Sequence, residues 1–249
     1  MRRPGLQQWL WSLAALLMAA AMPSAQAAGG WVVHRTGSDM TFERAGQRFS
    51  LADYAARRVP SGYMPGTANE AGCEIDIEMT PLSLQGDLLS VWMVYRTQPG
   101  DCDPPLRNAG TQAVVALHLP DGEPASLTDA LPPDAVLRAL RGTEAVRSLA
   151  GTAPAASLPA LLTQLDAATR SRCDRRITQA SLSQFYLAPD HGTPRLRLAW
   201  INDCGQLGDE PALDGIPLDV SAEALPAPMK TWQGEPPLQL SFVPSSRGK

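Results

Sequence analysis

The chain has 249 residues, with 21 Lys and Arg against 25 Asp and Glu, and a formal net charge of −4 at pH 7. A negative net charge disfavours nucleic acids and anionic membrane surfaces as partners, because both attract basic proteins. The 23 prolines and 20 glycines indicate many turns, while a hydrophobic share of 44% is sufficient for a packed core. We therefore expect a globular protein that is rich in loops.

Residues 1–27 have the three parts of a secretory signal peptide. Arg2 and Arg3 form the basic start, residues 10–22 are an apolar stretch, and Ala25-Gln26-Ala27 is the small-residue cleavage motif. The apolar stretch is shorter than the roughly 18 residues of a membrane-spanning helix. We expect a periplasmic or secreted protein that begins near Ala28 and keeps no membrane anchor. Loss of the two arginines takes its net charge from −4 to −6.

The pattern after the leader predicts short strands and one helix in a first module, residues 28–126. Residues 31–35 read as a strand and residues 40–49 as a hairpin that turns at Ala45-Gly46-Gln47. Ser50 is placed to cap a short helix that ends before Pro60. The strands expected after it are 73–79, 88–97 and 112–119, followed by a turn at 120–122.

The strand predicted over residues 73–79 alternates between apolar and acidic side chains. Its inward positions are apolar, and its outward positions are Glu74, Asp76 and Glu78. These carboxylates, with Tyr63 in a Gly/Pro-rich loop and Trp232 near the C-terminus, form the candidate binding surface. The alternative is that the acidic strip is an ordinary solvated strand face.

A second module, residues 127–249, is expected to open with helices. Their predicted ranges are 133–140, 144–149 and 159–169, the last capped by Ser157 and carrying a leucine stripe. The strands expected after them are 175–187, 195–201, 216–220 and 238–243.

Four cysteines remain in the exported chain: Cys73, Cys102, Cys173 and Cys204. Outside the cytoplasm an even cysteine count predicts disulfides, and the predicted hairpins favour the sequential pairs Cys73–Cys102 and Cys173–Cys204. Each bridge closes a loop of about 30 residues and stabilises the fold by roughly 3 to 4 kcal/mol. A metal site is the alternative, but no C-x-x-C occurs and the three histidines are far apart. We expect no metal and no cofactor.

Similar residues recur at an offset of 100, which suggests an internal repeat. Cys73 and Leu82-Ser83 correspond to Cys173 and Leu182-Ser183. Trp92 and Trp200 take equivalent strand positions in the two hairpins, where they either pack in the core or contact a sugar or partner. We predict an α+β fold of two tandem modules, each an antiparallel hairpin closed by a disulfide with a short helix packed on the sheet.

No motif identifies a catalytic residue. Ser83 and Ser183 lack the G-x-S-x-G turn of a nucleophile, and the acidic loops after Cys102 and Cys204 match no calcium-loop spacing. We predict a non-catalytic factor, of an inhibitor or immunity type, that binds another envelope or secreted protein, with a cationic partner favoured by the negative charge. The alternatives are an envelope glycan or peptide hydrolase that uses surface carboxylates, and a structural component of an envelope assembly.

Overall fold

The structure is a computed structural model that describes residues 26–28, 30–58, 75–97, 110–151, 155–173, 175–190, 193–201, 215–220, 229–231 and 238–242. The strands of the first half are β1 (Gln26–Ala28), β2 (Trp31–Thr36), β3 (Asp39–Arg44), β4 (Gln47–Ser50), β5 (Ile75–Gln85), β6 (Leu88–Thr97), β7 (Gly110–His118) and β8 (Glu123–Pro124). Those of the second half are β9 (Phe185–Asp190), β10 (Thr193–Leu198), β11 (Ile216–Pro217), β12 (Met229–Thr231) and β13 (Leu238–Phe242). The helices are α1 (Leu51–Arg58), α2 (Leu127–Ala130), α3 (Pro133–Gly142), α4 (Glu144–Ala150) and α5 (Leu158–Thr169), with a 3-10 helix at Gln179–Ser183.

The first sheet is an antiparallel meander of β1, β2, β3 and β4. Strands β3 and β4 are joined at Ala45-Gly46, where both residues have positive φ, as tight hairpin turns of this kind require. Ser50 ends β4 and caps α1, because its Oγ accepts a hydrogen bond of 3.0 Å from the Asp53 amide. The predicted hairpin and the predicted Ser50-capped helix are thus confirmed.

The central sheet has the order β12-β5-β6-β7-β8, and β13 also pairs with β5. Strand β6 matches its predicted bounds, whereas β5 runs six residues beyond the predicted end at Met79. It continues past Pro81 because the register shifts between Pro81 and Ser83, and a bulge is one of the places where a strand tolerates proline.

Both faces of the central sheet are buried. On β6, Leu89 and Val91 pack with the first sheet and α1, while Leu88 packs with the helices of the second half. On β7, Leu117 and Ala116 divide between the same two clusters. The central sheet is therefore the middle layer of the fold, between the β-meander with α1 and a layer formed by the β9-β10-β11 sheet with the remaining helices.

The C-terminal strands close the free edge of β5. Residues 229–231 pair with 83–85, and residues 238–242 pair with 75–79. Strands assigned by sequence to the second module therefore extend the sheet of the first. The structure supports a mixed α+β fold with antiparallel sheets, and it does not confirm two tandem modules.

The strand predicted over residues 175–187 is wrong in its first part. Thr178 caps a 3-10 helix over Gln179–Ser183, with its hydroxyl accepting from the Ala180 amide at 3.1 Å, and β9 begins only at Phe185. Between the first part of this predicted strand and the end of the strand predicted at 195–201, the described residues form a single bridge, from Arg176 to Ile201. The three helices predicted in the second half are confirmed within two residues at each end.

Of the four cysteines, only Cys173 lies in the described part of the chain, so no pair at bonding distance occurs among the described residues. Cys173 is exposed and is not free, since it is disulfide-bonded. Its partner is one of Cys73, Cys102 and Cys204, all of which lie outside the described residues. The pairings Cys73–Cys102 and Cys173–Cys204 stay predictions.

Replacement of Leu238 by Ala tests the packing of β13. Leu238 is 1% exposed in the cluster that joins the meander to the central sheet, so we expect Leu238→Ala to lower the free energy of unfolding by about 2–5 kcal/mol. Gln239→Ala, at the neighbouring exposed position, is the control and should change it by less than about 0.5 kcal/mol. Urea denaturation of both variants measures this. Equal effects would contradict the pairing and burial of β13.

Candidate binding groove

A groove of about 590 Å³ lies where the start of α2, the start of α5 and the 3-10 helix meet. Its buried lining is apolar and consists of Leu158 and Leu182, while Pro133 and Pro159 are exposed at its rim. The polar lining residues are Ser126, Thr128, Gln179 and Ser183. This volume is within the range of ligand-binding clefts, and the lining combines apolar area with a few polar groups.

Three of the elements around the groove begin with a hydroxyl cap. Ser126 caps α2, with its Oγ accepting from the Thr128 amide at 3.2 Å, and Ser157 caps α5, with its Oγ accepting from the Ala160 amide at 3.4 Å. Thr178 does the same for the 3-10 helix. Because these caps satisfy helix-terminal N–H groups, the ends of the elements are fixed and the groove between them is preformed.

Two polar groups in the groove are available to a ligand. The side chains of Gln179 and Ser183 make no hydrogen bond within the residues that the structure describes. The Gln179 amide both donates and accepts, and the Ser183 hydroxyl does likewise. A peptide backbone presents the complementary N–H and C=O groups.

Asp129 lies next to the groove and is held on two sides. Its Oδ2 accepts a hydrogen bond of 2.7 Å from the Ser126 amide, and His118 Nε2 lies 3.0 Å from the same oxygen. The Ser126 amide first, and then His118, lower the pKa of the Asp129 carboxyl below its ordinary value. Among the described residues, no hydroxyl or thiol bonds to His118.

A second polar cluster ties the meander to the central sheet. Trp31 Nε1 donates to Asp87 Oδ1 at 3.0 Å, and Arg44 forms a two-point ion pair with the same carboxylate. The Arg44 guanidinium also lies 4.4 Å from the centre of the Trp31 ring. Arg44 in the first place, then Trp31 and the charge of His118, lower the pKa of Asp87. Asp87 belongs to the β5–β6 turn, so this cluster fixes the first sheet against that turn.

The predicted binding surface is only partly described, and its described members, Asp76 and Glu78, do not line the groove. Asp76 and Glu78 lie half-buried on β5, between β6 and β13, and both already have interaction partners. Glu74, Tyr63 and Trp232 lie outside the described residues. Within the described ranges, no group of three or more His, Cys, Asp or Glu could hold a metal ion.

The two repeated tryptophans take different surroundings. Trp92 is half-buried against the small cluster that contains Leu82 and Tyr186, and Trp200 is half-buried against the large cluster of the helical layer. Core packing therefore accounts for much of the surface of both rings.

The sequence alone did not indicate the groove. Its local signals, the caps at Ser126 and Ser157, predict where helices start but not that the starts converge.

The chain matches no known family model, no curated protein and no solved structure. None of the helices in the described part of the chain is long and apolar enough to cross a membrane.

The depressed pKa of Asp87 predicts an acid-dependent loss of stability. A carboxyl whose pKa is lower in the folded than in the unfolded state stabilises the fold above its unfolded pKa, and this contribution disappears as the pH falls from about 3.8 through the folded value. We therefore expect Asp87→Asn to destabilise the protein at pH 7, and the difference from wild type to shrink below pH 4. Urea denaturation over a pH series measures the difference. A difference that stays constant with pH would contradict the account.

Proposed function

We propose that this protein is an exported, non-catalytic factor that binds another envelope or secreted protein, and that the groove receives an extended segment of that partner. The observation that carries the proposal is the combination of a buried leucine lining with unpaired polar groups on Gln179 and Ser183. Such a lining suits a peptide, because apolar side chains fill the groove while the backbone takes the free hydrogen bonds. Recognition of this kind fits an inhibitor or immunity-type role.

The charges near the groove support a cationic partner. No Lys or Arg of the described part of the chain lines the groove, while the carboxylates of Asp129 and Asp134 follow the lining residues Thr128 and Pro133 in the chain. Asp129 is 43% exposed, and Asp134 is exposed in the first turn of α3. A basic residue of the partner is therefore attracted to this side of the groove.

Filling the groove tests the proposal. Ala180 lines the groove at an exposed position, so Ala180→Trp should block a bound segment, whereas Ala167→Trp, exposed near the end of α5, should leave it unhindered. With mature protein as bait in native envelope extract at low salt, we expect the same partner on wild type and Ala167→Trp, and its loss on Ala180→Trp. Thermal melts of the three proteins establish that they are folded.

Two results would contradict the proposal. Retention of the partner by Ala180→Trp would show that binding uses another surface. Recovery of no partner at any salt concentration would remove the protein-binding function itself.

A charge reversal near the groove tests the cationic partner separately. We expect Asp134→Lys to slow association by about 3- to 10-fold at low salt, with a smaller effect at high salt and little change in dissociation. Asp53→Lys is the matched control, because Asp53 is also an exposed acid in the first turn of a helix and changes the net charge equally. Surface plasmon resonance with the recovered partner measures both rates. Equal effects of the two variants would contradict local steering.

A further inference from the structure

Strand β1 overlaps the predicted cleavage motif of the leader. Its three residues pair with β2 in the register Gln26 to Val33, Ala27 to Val32 and Ala28 to Trp31. Cleavage after Ala27 removes two of these three residues. The exported chain then lacks most of the strand that covers this side of β2.

Removal of β1 leaves β2 as the edge of the first sheet. In the described ranges β2 pairs only with β1 and β3, and β1 reaches only Trp31 to Val33. Among the described residues of the mature chain, no strand then pairs with this edge along the six residues of β2. An exposed edge of this kind is a template for another strand, and its pairing with β1 shows that the backbone there is straight enough to accept one.

We propose that leader cleavage uncovers an interaction surface on β2, and that a second copy of the mature chain occupies it by antiparallel β2–β2 pairing. Two three-stranded meanders then join into one six-stranded sheet around a two-fold axis. This proposal is independent of the groove, which lies in the helical layer on the other side of the central sheet.

The chemistry of β2 is self-complementary in one register. Residues opposite each other in an antiparallel pair lie on the same face, so a pairing centred on Val33 places Val33 opposite its own copy and Val32 opposite His34 of the second copy. The same register places the buried Trp31 opposite the exposed Arg35 of the second copy, so no charge of either strand faces a like charge. No two like charges face each other, and the strand offers no exposed carboxylate that would repel its copy.

The outer face of the meander beside β2 is partly exposed and its charges are paired. Val32 and His34 are half-exposed and line a shallow pocket of about 460 Å³ with Glu43 and Arg48. Within one chain, His34 and Arg48 each lie 3.8 Å from Glu43, so the charges beside the edge are already compensated. A second strand therefore meets no uncompensated charge on this face.

The test compares two chains that differ only in β1. Both lack residues 1–25 and have all four cysteines oxidised; one begins at Ala28, and the other begins at Gln26 and so keeps β1. In sedimentation equilibrium over a concentration series, we expect the chain from Ala28 to approach twice the monomer mass. The chain from Gln26 should associate about 10-fold more weakly, because its own β1 occupies the edge. Pairing through one strand buries little area, so the dimer should dissociate on dilution.

A variant of the edge completes the test. Val32→Lys in the chain from Ala28 should abolish dimerisation, because a lysine on an edge strand disfavours pairing, while Gln239→Lys on β13 should leave it unchanged. Monomeric behaviour of the chain from Ala28, equal association of the two chains, or dimerisation of Val32→Lys would each overturn the proposal. So would intact-mass analysis of the exported protein that shows Gln26 and Ala27 retained.

Discussion

The fold depends on the burial of the central sheet on both faces. Strands β5, β6 and β7 present alternate residues to two different layers, so neither layer has a complete core without them. A buried hydrogen bond of 3.0 Å from the Leu187 amide to Ser83 Oγ joins β9 to the bulge of β5 across one of these interfaces. On the other side, the Asp87 carboxylate in the β5–β6 turn holds Trp31 and Arg44 of the meander. Apolar burial supplies the driving force, and these two polar ties fix the alignment of the layers.

The position of the groove is a consequence of this layering. Leu127, Leu158 and Leu182 belong to the large cluster packed on the central sheet. Leu127 begins α2, Leu158 begins α5, and Leu182 lies in the 3-10 helix. The apolar residues fix where the elements start, and the hydroxyl caps prevent their ends from fraying. A preformed surface of this kind lowers the entropic cost of ordering on binding, as the proposed binding role requires.

Local signals in the sequence predicted the elements they control. The Ser50 cap, the strand predicted at 88–97 and the leucine stripe after Ser157 each correspond to an element of the structure. The strand expected at 175–187 was wrong because Thr178 and Ser181 form a capping box, a local hydrogen-bond pattern that outweighed β propensity. Alternation correctly placed Asp76 and Glu78 away from Ile77, but it could not reveal their partners. The pairing of residues 238–242 with β5 and the convergence of three helix starts are long-range, and no local pattern encodes them.

Native-state hydrogen exchange tests the central role of the middle sheet most directly. If both outer layers depend on it, the amides of β6, such as Leu89 and Val91, should exchange only through global unfolding, with an opening free energy equal to that from urea denaturation. Amides of the meander and of α3 to α5 should open at equal or lower free energies. Opening of β6 at a free energy below that of the meander or the helices would show that an outer layer stays folded without the central sheet, and would contradict the account.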